Sequence, residues 1–293
     1  MTQSGGAVDS DPPFFPTVAI VGVGAIGGSV ALAVRRRWPS TRVIAIDRQP
    51  VVDAAIQLGA ADDGGETLRA ASGAALVVLA APVRANIAVL RELPDLLTGS
   101  SIVTDVGSTK SETVAAAAYL PRRLVFIGGH PLAGAAVGGL AQARADLFDG
   151  SPWVLTPEPP LAADAVALVR RFVEGLGAQP VEIFAAEHDR LVAYLSHLPQ
   201  LAVTALMHVV GEAVGDDRLS LAGRGLRDTT RLASSPAAIW RDIAATNPMC
   251  VTAALNALIE TLQTLRAEIN HPETAFNEIF ASAARWKERL ERR

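Results

Sequence analysis

The stretch "TVAIVGVGAIGGSVALAVRRR", Thr17 to Arg37, decides the fold. Its first eighteen residues carry no charge and three arginines close it, so it reads either as a membrane span with a cationic flank or as a strand, a loop and a helix laid end to end. A spanning helix needs about twenty apolar residues. Gly22, Gly24, Gly27 and Gly28 interrupt this one, and each glycine costs a helix interior about 0.8 to 1.0 kcal/mol relative to alanine. Split at the glycines, "TVAIVG" is a short β-branched run suited to a buried parallel strand, and "IGGSVALAVRRR" is a helix whose cationic end suits its C-terminal dipole.

Between them, Gly22, Gly24 and Gly27 form GxGxxG, with Ala25 and Ile26 in the intervening positions. The first glycine permits a tight turn, the second lets backbone approach a pyrophosphate, and the third lets helix and strand pack closely. The next strand, "TRVIAIDR", ends in Asp47, which can accept hydrogen bonds from ribose hydroxyls and repels a 2′-phosphate. This spacing predicts a dinucleotide site that favours NAD, while Arg48 next door leaves NADP open.

Working outward, strand signals alternate with amphipathic stretches: "AALVVLAAP", "SIVTDVGS", "RLVFIGGH", "SPWVLTP" and "QPVEIF". Such alternation predicts a doubly wound parallel sheet with its ligands beyond the C-terminal strand ends. One of these ends reads "DVGSTKSE", where Thr109 and Glu112 have capping-box spacing. Ser108, at the loop apex, reads either as a further cap or as a hydroxyl aimed into the cleft. The other end reads "GGHPLAG": Pro131 holds His130 extended, and the preceding glycines let backbone crowd a cofactor, so the ring is presented from a stiff turn as a general base.

After Phe184 the strand signals stop. The expected organisation is a loose tail over 1–16, a dinucleotide-binding domain over 17–184 and an all-helical domain over 185–293. In "EHDRLVAYLSHLPQLAVTALMHVV", His197, Gln200, Thr204 and His208 share one face of an apolar helix that Pro199 kinks. That face reads as solvated, as lining a cleft or as crossing a subunit interface, and the kink favours the cleft. In "GRGLRDTTRLASSPAAIW", Arg224, Arg227 and Arg231 align if helical, for capture of a substrate carboxylate or for pairing with nearby aspartates.

Composition narrows the chemistry. The 293 residues are 50% hydrophobic and 19% charged with a net charge of −4, and the arginines are scattered, which argues against nucleic acid or an anionic membrane as partner. The single cysteine, Cys250, reads as a core thiol in a reducing, cytoplasmic setting. The histidine spacing suggests no metal site.

"GVGAIGGS", "DVGSTK", "GGHPLAG", "EHDRLVAYLSHLP" and "RDTTRLASSPAAIW", in this order, resemble the prephenate dehydrogenase family, including its arogenate and cyclohexadienyl branches. The resemblance implies a Rossmann domain followed by a helical dimerisation domain, a homodimer, and oxidative decarboxylation of a small carboxylate substrate with hydride transfer to NAD. It implies that His130 takes the proton of the C4 hydroxyl, that Ser108 hydrogen-bonds both that hydroxyl and the histidine, and that Arg231 holds a substrate carboxylate, with Arg227, His197 and Gln200 as further substrate contacts. Where many prephenate-using members have SHLPH, Gln200 replaces the last histidine, and Ala135 and Ala136 replace a common threonine and glutamate, which leaves prephenate, arogenate and 4-amino-4-deoxyprephenate open. From the ending "RWKERLERR", no appended regulatory domain of the kind some relatives carry is expected. Two rivals remain: a dehydrogenase or imine reductase of the β-hydroxyacid type, whose β-hydroxyacid branch uses a helical-domain lysine that has no counterpart between Lys110 and Lys287, and a silent NAD-binding sensor or scaffold.

Overall fold

The computed structural model describes residues 15–134, 138–158 and 163–292. Residues 1–14 of the expected tail, and Ala135 and Ala136, lie outside the described residues. Phe15 does not behave as tail: its ring is buried and meets Phe172 edge-on at 5.7 Å, because an aromatic ring placed beside the first strand covers apolar surface.

Eight strands form one sheet: β1 (Thr17–Val21), β2 (Arg42–Ile46), β3 (Asp63–Gly65), β4 (Leu76–Leu79), β5 (Ser101–Asp105), β6 (Leu124–Pro131), β7 (Pro152–Thr156) and β8 (Gln179–Glu182), in the order β3-β2-β1-β4-β5-β6-β7-β8. The strands from β1 to β6 run parallel. This is the expected doubly wound parallel sheet, and at its edge β7 pairs antiparallel with β6 while β8 follows β7 in parallel. The three-residue β3 carries no hydrophobic run and gave no strand signal.

The sheet is covered by α1 (Ala25–Arg37), α2 (Gln49–Gln57), α3 (Val83–Leu96), α4 (Ser111–Ala117) and α5 (Ala163–Gly175). Because both faces are buried, alternate residues of one strand enter different cores. Val18 and Ile20 pack with Val30 and Val34 of α1 and Phe172 of α5, whereas Ala19 and Val21 pack with Leu90 and Leu93 of α3.

Only helices follow: α6 (Ala185–Val192), α7 (Leu198–Val214), α8 (Asp216–Leu219), α9 (Arg224–Thr229), α10 (Ala237–Thr246), α11 (Pro248–Ala267) and α12 (Thr274–Glu291). A π turn over Ala193–His197 joins α6 to α7. It ends two residues before Pro199, whose missing N–H and ring cannot continue an ordinary α ladder. Gly211 lies inside α7, which stops at Gly215 with φ +70°. Cys250 is half-buried in α11 rather than in the core.

Three contacts bind the helical half to the loops at the strand ends. Thr109 Oγ1 meets Thr246 Oγ1 at 2.7 Å, the Lys110 amide donates to Asp189 Oδ1 at 2.7 Å, and the Arg84 amide donates to Asp242 at 3.4 Å. They close one side of a cleft over β4, β5 and β6.

Candidate active site

The glycine turn occupies the C-terminal end of β1. Gly22 adopts φ +89°, and a Cβ there would stand 2.6 Å from the Ala81 amide nitrogen. A Cβ on Gly27 would stand 2.0 Å from the Gly22 carbonyl oxygen, so helix and strand touch there, while a Cβ on Gly24 would meet nothing within 4 Å. The open side of Gly24 and the amino end of α1, which no side chain caps, make a place for an anion.

Asp47 does two things at once. Its Oδ2 accepts the Val23 amide at 2.8 Å and its Oδ1 accepts the Arg48 amide at 2.8 Å. It thus fixes the turn while it lines, with Gly22, Gly24 and Arg48, a lobe of about 490 Å³. That lobe shares Gly24 and Ala80 to Pro82 with a larger one of about 580 Å³, lined by Ala25, Ile26, Ser108 and His130. A third lobe, about 540 Å³, holds Ser196, Gln200, Arg231 and Trp240, and meets the second at Gly134, Pro236 and Ile239. The cleft therefore runs from Asp47, past His130, to Arg231.

His130 is presented by strand rather than by a turn, since it pairs with Val154 of β7. Its neighbouring glycines serve the sheet's own packing and not a cofactor: a Cβ on Gly128 would lie 2.3 Å from Thr156 Oγ1, and one on Gly129 2.5 Å from the Asp105 carbonyl. Loss of solvent first, then the electrostatic influence of His188, Lys110 and His197, lowers the His130 pKa well below the ordinary histidine value. The ring is therefore neutral at physiological pH. Ser108 shares the lobe, but among the described residues no hydrogen bond joins it to His130.

Several expected roles need correction. Thr109 caps nothing: its hydroxyl is spent on Thr246, and the amino end of α4 is held instead by Asp189, whose carboxylate accepts the Lys110 and Ser111 amides at 2.7 and 2.8 Å. Arg224, Arg227 and Arg231 do not align, because α9 ends at Thr229 and Arg231 begins a 3₁₀ turn. Arg227 faces a separate hollow beside Met207 and Leu226, away from the cleft. Among the described residues none of the three forms an ion pair, so pairing with the nearby aspartates does not occur. His197 is buried against Trp240, ring centroids 6.1 Å apart, with Nδ1 unpartnered among the described residues, and burial pushes its pKa down to about 4. It is Ser196, one residue earlier on the π turn, that lines the cleft. Of the polar stripe only Gln200 reaches the cleft; Thr204 and His208 are exposed.

Sequence reasoning assigned no role to His188, Asp189, Lys110 or Asp105. His188 Nε2 lies 2.8 Å from His130 Nδ1, and His188 Nδ1 lies 2.9 Å from Asp189 Oδ1. Lys110, fully buried, bonds Asp105, which also accepts the Gly107 and Gly129 amides at 2.9 Å. The adjacent His188 and Asp189 near a helix start, in "EHD", were the available signal, but the partner of His188 lies 58 positions away.

The profile of "prephenate dehydrogenase, nucleotide-binding domain" matches residues 30–182, and that of "prephenate dehydrogenase, dimerization domain" matches 184–282. The chain belongs to the prephenate dehydrogenase family. Prephenate dehydrogenase of Bacillus subtilis (strain 168) is 37% identical over 235 residues, covering 78% of this chain and 63% of that one. The chain thus spans less than two thirds of that relative's length. Cyclohexadienyl dehydrogenase of Zymomonas mobilis is 31% identical over 261 residues, covering 87% of this chain and 89% of the other. The crystal structure of A. aeolicus prephenate dehydrogenase in complex with hydroxyphenyl propionate and NAD+ superposes with a TM-score of 0.85 at 29% identity, over 94% of this chain and 98% of that one. Family members thus share the Rossmann-plus-helices plan described above. Among the described residues, no helix is long and apolar enough to cross a membrane.

Proposed function

We propose that this protein is a dehydrogenase that oxidatively decarboxylates a cyclohexadienol carboxylate of the prephenate class, with NAD as hydride acceptor. The placement of His130, a neutral imidazole midway along a cleft between the glycine turn and Arg231, carries this reading. The nucleotide lobe fits NAD: Gly24 leaves room for a pyrophosphate, the uncapped end of α1 offers amides to it, and Asp47 stands where a ribose would lie. When bound, NAD would supply the acceptor for the hydride lost from C4 of the ring.

His130 takes the proton of the C4 hydroxyl, because without its departure positive charge would build on the carbon losing hydride. Ser108 hydrogen-bonds that hydroxyl and fixes its direction. Arg231 holds a carboxylate of the substrate by charge-assisted hydrogen bonds. Val106, Ala133, Ile239 and Ile243 line the central lobe and keep water from the reacting ring. Loss of carbon dioxide from C1 makes the ring aromatic and supplies much of the driving force, so the chain's main task is positioning.

Gln200 supports a second reading of the substrate's side chain. Its Nε2 donates to Thr204 Oγ1 at 3.1 Å and to the Leu232 carbonyl at 2.8 Å, and its Oε1 accepts from Ser235 at 3.2 Å. Both N–H groups are used internally, so what remains for a ligand is a carbonyl lone pair. A lone pair suits the ammonium of arogenate better than the keto group of prephenate. We further propose a homodimer formed by the helical half, where Leu206, Val209, Leu262, Phe280 and Trp286 are exposed.

The test is NADH or NADPH formation with prephenate, arogenate and 4-amino-4-deoxyprephenate side by side, with His130→Asn as control. Turnover of one substrate, lost in the variant, establishes the reaction. Tight NAD binding without turnover of any would leave a silent sensor.

A further inference from the structure

We propose that His188 and Asp189 set the tautomer of His130, so that its Nε2 carries the basic lone pair, and that His188 then shares the proton His130 takes up. The proposal rests on the reading of His130 as the base, and it assigns His188 and Asp189 as positioning residues.

The assignment follows from donor and acceptor counting. Asp189 accepts three hydrogen bonds at its carboxylate, from the Lys110 amide at 2.7 Å, the Ser111 amide at 2.8 Å and His188 Nδ1 at 2.9 Å. Burial alone would raise its pKa, but the bonds from His188, Ser111 and Lys110 outweigh this and bring it below the usual carboxylate value. An ionised carboxylate only accepts, so His188 Nδ1 must carry the hydrogen. In a neutral imidazole the other nitrogen is then an acceptor. His188 Nε2 faces His130 Nδ1 at 2.8 Å, so His130 Nδ1 is the donor and its Nε2 is left with the free lone pair. The chain of bonds has one direction throughout, and its fixed end is Asp189, itself pinned to the start of α4 and through its carbonyl to Asn247.

The same arrangement handles the charge formed during reaction. When Nε2 of His130 takes the hydroxyl proton, the O–H bonding pair stays on oxygen and the imidazole becomes cationic. The Nδ1 proton can cross to Nε2 of His188, leaving His130 neutral and the positive charge on a ring in contact with a carboxylate. His188 and Asp189 are both buried, so little water competes for that charge. The geometry is that of a base oriented by a second group, which in known cases governs rate far more than binding.

Two measurements test this. First, 15N NMR of histidine-labelled protein without substrate, with the His130 signals identified by loss in His130→Asn: the expected result is a protonated Nδ1 and an unprotonated Nε2 at pH 7.5. The opposite tautomer, or an even mixture, overturns the proposal whatever the enzyme turns over. Second, steady-state kinetics of His188→Met, which offers only a weak thioether acceptor, and His188→Gln, which keeps a strong one. Met should lower kcat on the order of 10²- to 10⁴-fold with KM and NAD binding within about threefold, and Gln should recover a substantial part of kcat. Loss confined to KM, equal loss in both variants, or kcat within threefold in the Met variant overturns it. If unsubstituted protein turns over no cyclohexadienol yet shows the expected tautomer, the functional reading has failed and the positioning has not.

Discussion

The ammonium of Lys110 is sealed against the carboxylate of Asp105 beneath the strand that presents His130. Burial lowers the lysine's pKa and Asp105 works against that, so the pair stands or falls together. Asp105 also accepts the Gly107 and Gly129 amides, which ties the Ser108 loop to β6. Lys110→Met leaves a buried carboxylate without its cation and should cost about 3–5 kcal/mol of unfolding free energy. Denaturant unfolding would measure it, and a loss under 1 kcal/mol would mean the pair is not sealed in solution.

The glycines of the turn separate fold from binding. Gly27→Ala drives a Cβ to 2.0 Å from backbone, so it should lower both stability and NADH affinity. Gly24→Ala meets nothing, so unfolding should change by no more than about 0.5 kcal/mol while NADH binding weakens at least tenfold. Intrinsic fluorescence titration beside a melting curve distinguishes the two, and equal effects in both variants would remove Gly24 from the nucleotide site.

What was legible in the sequence follows from range. The glycine turn, its acid and the His-Pro pair are local features whose backbone demands can be read within a few residues. Two errors in the helical half arose where one turn of backbone departs from the ideal helix. The π turn at Ala193–His197 adds a residue per turn and exchanges which of Ser196 and His197 faces the cleft. The end of α9 at Thr229 breaks the spacing that would have aligned Arg227 with Arg231. His188 and Asp189 were out of reach for another reason, since their meaning depends on β6 and α4, which arrive only with the fold.

Arg231 and Arg227 offer an internal control, being exposed, unpaired among the described residues and four positions apart. Arg231→Leu removes a charge-assisted contact of about 2–3 kcal/mol and should raise KM for the carboxylate substrate roughly 30- to 150-fold. Arg227→Leu should leave KM within threefold, since its side chain lines a different hollow. Michaelis curves for the two variants decide the matter, and the reverse pattern would move the carboxylate to the other lobe.

His197 predicts a pH dependence of stability. Burial disfavours its cation and lowers its pKa from 6.5 to about 4, with Asp189 opposing and His188 reinforcing the shift. In that window the unfolded chain binds a proton that the fold does not, so stability is complete above pH 6.5 and declines as pH falls towards 4. His130 is shifted in the same direction and adds to the slope, whereas the lowered Asp189 carboxylate acts only in more acidic solution. His197→Phe keeps a ring against Trp240 and removes the titration. Its Tm should therefore fall less than the unsubstituted protein's between pH 6.5 and 4.5, measured by scanning calorimetry. Parallel curves over that interval would show that the His197 ring reaches water in solution.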